Sequence, residues 1–172
     1  MMILRDNIHF LQQALELVRH CSTNTFTATN PPLYGSGVGS HLRHCLDHYS
    51  NLMSGYASGH VNYDARCRDE AVATQPESAR DTILTLTRQL EGVTPESLDA
   101  PITVIMDCGG TEAQPPAHST LRRELQFLVS HTVHHFALIS MILHDQGVPT
   151  PPDFGVAPST IKFRQASAAC AQ

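Results

Sequence analysis

The sequence predicts an all-α domain built as a four-helix bundle, and three observations carry that prediction. Four stretches repeat apolar residues at spacings of three and four, the period of a helix buried along one face. Only one short run, residues 102–106, has the β-branched character of a strand. The connection between the second and third helical stretches is roughly twenty residues, enough to run back along a bundle. By length the whole chain, 1–172, is one domain with a single core.

Leu4, Ile8, Leu11, Leu15 and Val18 define a first helix over 3–20, with Asp6 or Asn7 as the cap of a later start. Arg5, Asp6, Glu16 and Arg19 interrupt its apolar pattern, which suits an amphipathic helix rather than a signal peptide. Residues 21–36 are polar, β-branched and Pro-rich, hence a loop. Val38, Leu42, Cys45, Tyr49 and Leu52 give the second helix, 37–55, stopped by Gly55. Residues 56–73 read as an ordered crossover loop with one short turn of helix.

Thr74 and Glu77 have capping-box spacing ahead of a third helix over 75–91, marked by Ala79, Ile83, Leu86 and Leu90. Gly92 stands where that helix would end. Residues 102–106 form one arm of a small β-hairpin, with the return near 112–118. Ser119 then caps the fourth helix, 120–145, whose stripe is Leu121, Leu125, Leu128, Thr132, Ile139 and Leu143. Gly147 and Pro149 stop it, and Phe154 and Ile161 are the docking residues of the tail. Two topologies fit: up-down-up-down, or a crossover that leaves the middle helices parallel.

The net charge is −5 with a pI of about 6.1, and no basic run reaches five residues, so nucleic acid is not an expected partner. No apolar run approaches the about 18 residues of a membrane helix, so no membrane association is expected. Five widely spaced cysteines without a Cys-x-x-Cys pair argue against a disulfide framework and for a reducing cytoplasm.

Histidine is the anomaly. Eleven of 172 residues is about three times an average share. His131 and His135 are four apart on the fourth helix, so they share one face and can ligate one ion. His134 points about a third of a turn away and is not an expected ligand. On the second helix, His41, His44 and His48 lie to one side of the apolar stripe, with His41 and His48 nearer the core than His44. Thr132 stands where a zincin needs its catalytic Glu, and the paired Glu-x-x-His of di-iron bundles is absent from the sequence. Helical phase therefore leaves the second-helix ligand open. A purely structural role for these histidines is the competing expectation.

Three strings extend this pattern: residues 39–49 with His41, His44 and His48; residues 62–69 with Tyr63, Arg66 and Arg68; and residues 123–136 with His131 and His135. Together with the closing segment 153–160 they resemble the DinB-like metalloproteins (DinB/YfiT type). The resemblance implies an up-down-down-up four-helix bundle with a long crossover between helices 2 and 3, often a homodimer. It implies a Zn, Ni or Fe ion held by one second-helix histidine, His44, and by the pair His131 and His135. Three neutral nitrogens leave a coordination position open, as a catalytic site requires. Relatives of this type include thiol transferases using bacillithiol, mycothiol or glutathione, and maleylpyruvate isomerases.

The expected function is thus a metal-dependent enzyme, either a transferase using a low-molecular-weight thiol or a metal-assisted hydrolase, acting on a small molecule. The alternative is a non-catalytic metal- or ligand-binding bundle in a stress response. Arg66 or Arg68 reaches the pocket mouth to hold an anionic substrate, or belongs to a salt-bridged surface loop; Arg43 and Arg123 carry the same alternatives. Asp47 orients a ligating histidine or balances charge on the helix surface. Cys45 reads as a packed thiol, and Cys67 as a loop cysteine beside two arginines.

Overall fold

A computed structural model describes residues 2–111 and 114–170. The described chain is mostly helical, with seven α-helices and one three-stranded sheet. The helical class is as expected; the sheet is larger than the predicted hairpin.

Helix α1 spans Met2–His20. Its core face is Leu4, Asn7, Phe10, Leu11, Ala14 and Val18, so the buried stripe is rotated from the predicted one. Asn7 takes the place expected of Ile8 because its amide has partners inside the core. Its Nδ2 donates to the carbonyls of Ile3 at 2.8 Å and Leu125 at 3.2 Å, and its oxygen accepts from the Tyr49 hydroxyl at 2.9 Å. Within the expected loop 21–36 lies α2, Thr23–Thr27, capped by the Ser22 hydroxyl, with Phe26 fully buried.

Helix α3, Val38–Gly55, begins directly beneath Phe26. A Cβ at Gly39 would collide with the Phe26 ring and the Ala73 carbonyl, so only glycine allows this approach. The crossover then forms a turn of 3₁₀ helix, a strand β1 over His60–Asn62 and a short helix α4 over Glu70–Thr74. Asp69 caps α4. Thr74 therefore ends a helix instead of starting one: its hydroxyl bonds back to Glu70 at 2.7 Å, and α5, Pro76–Glu91, starts on Gln75 without a side-chain cap. Pro76 suits that first position because its missing N–H would lack a helical partner anyway.

Strand β2, Pro101–Ile105, pairs antiparallel with β3, Ala117–Thr120, and parallel with β1, Val61 opposite Val104. The predicted return arm thus begins later than residue 112; residues 112–113 lie outside the described residues. Helix α6, Leu121–Asp145, is capped by Thr120, which accepts from the Arg123 amide, and not by Ser119. Ser119 is a sheet residue whose hydroxyl turns to Glu124. Helix α6 ends at Gly147 (φ 72°), and the Val148 amide closes on the Leu143 carbonyl at 2.8 Å.

By length and mean hydropathy α6 reaches the range of a membrane span, although His131, His134 and His135 interrupt it and no unbroken apolar run of that length occurs. Its apolar residues Leu121, Leu125, Leu128, Phe136, Ile139 and Leu143 are buried in the core. The tail returns over this helix: Phe154 stacks on Phe136 at 4.6 Å, and Gly155 (φ 74°) lies against the backbone of Ala137. Helix α7, Pro158–Cys170, was not expected from periodicity. Its apolar moment is weak because Ile161 and Phe163 face different sides of an exposed helix.

Helices α1 and α3 each pack against both α5 and α6. Helices α3 and α6 run in opposite directions, since His41 meets His135 while His48 meets Phe127.

Candidate metal centre

The antiparallel contact of α3 and α6 lines up three histidines spaced by three and four with two spaced by four. Each is therefore one helical turn from the next, and the two rows interleave. His44 Nε2 lies 3.1 Å from His131 Nε2, and His41 Nδ1 lies 3.1 Å from His135 Nδ1. The His48 ring sits 4.2 Å from that of His131, and the His135 ring sits 4.6 Å from His44 and 4.7 Å from His131. His48 is buried, the other four are half-buried, and His134 is exposed, its ring 5.1 Å from that of His135.

Burial is the first cause holding these rings neutral, and mutual repulsion is the second. His44 is depressed to about 3 by burial, then by His48, His135, Arg66 and Arg43. His131 is likewise depressed to about 3, and His135 to about 4. His41 and His48 are lowered too, chiefly by burial. Neutral imidazoles are the form that ligates metals.

The donor set fits one divalent ion. One nitrogen each of His44, His48 and His131 lies within 4.8 Å of the other two. Tetrahedral ligation by imidazoles places nitrogens about 3.3 Å apart, close to the His44–His131 separation. His48 Nδ1 donates to the His44 carbonyl at 2.8 Å, which leaves the Nε2 lone pair free. His131 Nδ1 is buried without a partner, and the ring is held by packing against Phe127 and by its Nε2 contact with His44. Of the predicted ligands, His44 and His131 are brought into contact and His135 stands beside both; His41 and His48 also enter the cluster.

Arg66 is the crossover residue that reaches the site, its Nη1 donating to His44 Nδ1 at 2.9 Å. Arg68 (φ 54°) and Cys67 are exposed, and the Arg68 charge acts on Asp47. Asp47 is buried and accepts from Arg43 at 3.0 Å; this guanidinium, rather than a histidine, is what it orients. Burial raises the Asp47 pKa, against the opposing pull of Arg43 and Arg66. Cys45 is buried and its thiol is pushed well up, as a packed thiol should be.

Sequence reasoning missed one wall of the site. Tyr63 stacks on His48 at 5.4 Å and donates to Glu124 at 3.0 Å, while Phe127 packs on His48, His131 and Tyr63. Desolvation and the neighbouring carboxylate push the Tyr63 hydroxyl up, so it stays a donor. Tyr63, Glu124 and Phe127 also line a cleft of about 380 Å³ with Arg123 and His118. A signal existed: Glu124 lies three after Leu121 and four before Leu128, a carboxylate on an apolar stripe.

No protein-family model and no solved structure matches the chain. A curated protein, FK506-binding protein 5 of Rhizopus delemar, is 30% identical over 103 residues. That alignment covers 59% of this chain and 27% of the other, so the chain spans about a quarter of that relative's length.

Proposed function

We propose that this chain is a DinB-like bundle that binds one divalent ion, Zn, Ni or Fe, between α3 and α6 and acts as a metal-dependent enzyme on a small molecule. The observation that carries the reading is the pair His44 Nε2 and His131 Nε2 at 3.1 Å, in surroundings that keep both rings neutral. His44, His131 and His135 would hold the ion by resemblance, and His48 is the further candidate by position. The ion would supply Lewis acidity, lowering the pKa of a water or a thiol. Tyr63 and Phe127 keep the rings packed and exclude water from one side. The reaction we favour is transfer to or from a low-molecular-weight thiol, with metal-assisted hydrolysis beside it.

An up-down-down-up arrangement belongs to this reading. It is supported by α1 meeting α6 in step, Asn7 with Leu125 and Leu17 beside Leu143, while Leu4 and Ile8 adjoin Leu90 and Val93 at the far end of α5. A cytoplasmic homodimer is the state that accompanies the resemblance.

The test is elemental analysis of protein purified without chelator, wild type beside His131→Ala. The wild type should carry near one equivalent of a transition metal and the variant far less; equal content would overturn the reading. A second reading, a non-catalytic bundle with a closed site, draws on the surplus of imidazoles, since His48 and His135 together would fill four positions. Anomalous scattering at the metal edge distinguishes them by counting three or four protein ligands.

A further inference from the structure

Arg66 stands against the cluster with its charge unmatched. Arg43 is paired with Asp47, whereas among the described residues Arg66 makes no ion pair. The Nε–H of Arg66 is buried with no acceptor, as is that of Arg43. The partner of Arg66 is a neutral ring nitrogen, His44 Nδ1. A guanidinium has five donors and no acceptor, so most of its capacity is unused here.

That contact also decides where the His44 proton sits. Because Arg66 can only donate, His44 Nδ1 must accept, and the neutral ring carries its proton on Nε2. Nε2–H then donates to His131 Nε2, 3.1 Å away, and the His131 proton is left on Nδ1, which has no partner. In this arrangement His44 has no lone pair left for an ion. Metal on His44 and Arg66 on His44 are alternatives.

We propose that Arg66 is the binding residue for a carboxylate of the substrate, and that a carboxylate held there draws the guanidinium off His44 and frees that ring to ligate the ion. The inference rests on the metal reading above and names the substrate class for the same site. An anion fits the local charge: Arg43, Arg66 and Arg68 all act on the one carboxylate of Asp47, so cations outnumber carboxylates here. The planar fork of Arg66 matches a carboxylate through two parallel N–H donors. Anion and metal then bind with positive, reciprocal coupling.

The experiment is a Zn²⁺ titration by competition calorimetry, with chloride or propionate at equal ionic strength, on wild type, Arg66→Met and Arg68→Met. The expected wild-type result is Zn²⁺ binding tightened roughly tenfold by propionate, the scale of one hydrogen bond to a charged group. Arg66→Met should bind Zn²⁺ about tenfold tighter than wild type in chloride and ignore propionate, since no guanidinium competes for His44. Arg68→Met removes the same charge two residues away and should behave as wild type. Equal tightening of wild type and Arg66→Met would place propionate on the metal and overturn the proposal. Wild type that binds Zn²⁺ without any response to propionate also overturns it, leaving the metal reading intact. Wild type that binds no Zn²⁺ in either salt overturns the metal reading and the coupling with it. Arg66→Gln serves in place of Arg66→Met if the latter does not fold.

Discussion

Two polar clusters are buried between the helices, and they are built on opposite terms. Asn7 itself is fully partnered: both amide hydrogens reach carbonyls, and the oxygen receives the Tyr49 hydroxyl. Around His44 and His131 several groups are not: His131 Nδ1, Arg43 Nε and Arg66 Nε are buried without partners. Satisfied networks rigidify a core, while unsatisfied ones are a standing demand for a ligand. The first cluster ties α1 to α3 and α6 as structure; the second keeps donor atoms available at the expense of stability.

The largest effect is expected where satisfaction is broken. Asn7→Ala removes the acceptor of the Tyr49 hydroxyl and leaves a cavity at a fully buried position, and should lower unfolding free energy by about 3 kcal/mol, measured by urea denaturation. Folded Asn7→Ala should still take up metal like wild type; a matched loss of metal affinity would join the two clusters into one unit.

The pH response comes next. The folded pKa values of His44 and His131 are about 3 and that of His135 about 4, all below the unfolded 6.5. The unfolded chain therefore binds more protons between these values, and the metal-free protein should lose stability as pH falls from about 6.5 toward 4. Denaturant midpoints of chelated protein across that range check the sign, and His131→Ala should flatten the slope. Asn7→Ala should keep the slope while lowering the whole curve, because Asn7 does not titrate.

The smallest effect is expected at His134. It is exposed beside the cluster, so His134→Ala should change stability by less than about 0.5 kcal/mol and leave metal content unaltered. A clear loss of metal in this variant would show that the outer face of α6 takes part.

What was legible in the chain follows from how local each signal is. The long helices could be read because amphipathic spacing repeats within a turn. Strand β1 could not: three residues carry no usable period, and β1 exists only because residue 61 finds residue 104. The cap at Thr120 was misplaced by one residue because Ser119 and Thr120 are chemically equivalent caps until Ser119 is taken by the sheet and Glu124. Helix α7, nearly without an apolar face, offered no period to read.

The site divides in the same way. His131 and His135 share a face by spacing alone, and His134 leaves it by the same arithmetic. Neither the meeting of His44 with His131, 87 residues apart, nor the reach of Arg66 across 22 residues to His44 has any local signature. The four long helices and the faces their histidines occupy follow from spacing within the chain, because both depend on the geometry of one turn. That α3 passes α6 antiparallel with five imidazoles interleaved depends on packing between distant segments. The depressed pKa values and the proton position on His44 follow from that arrangement, since desolvation and donor direction are set by neighbours distant in the chain.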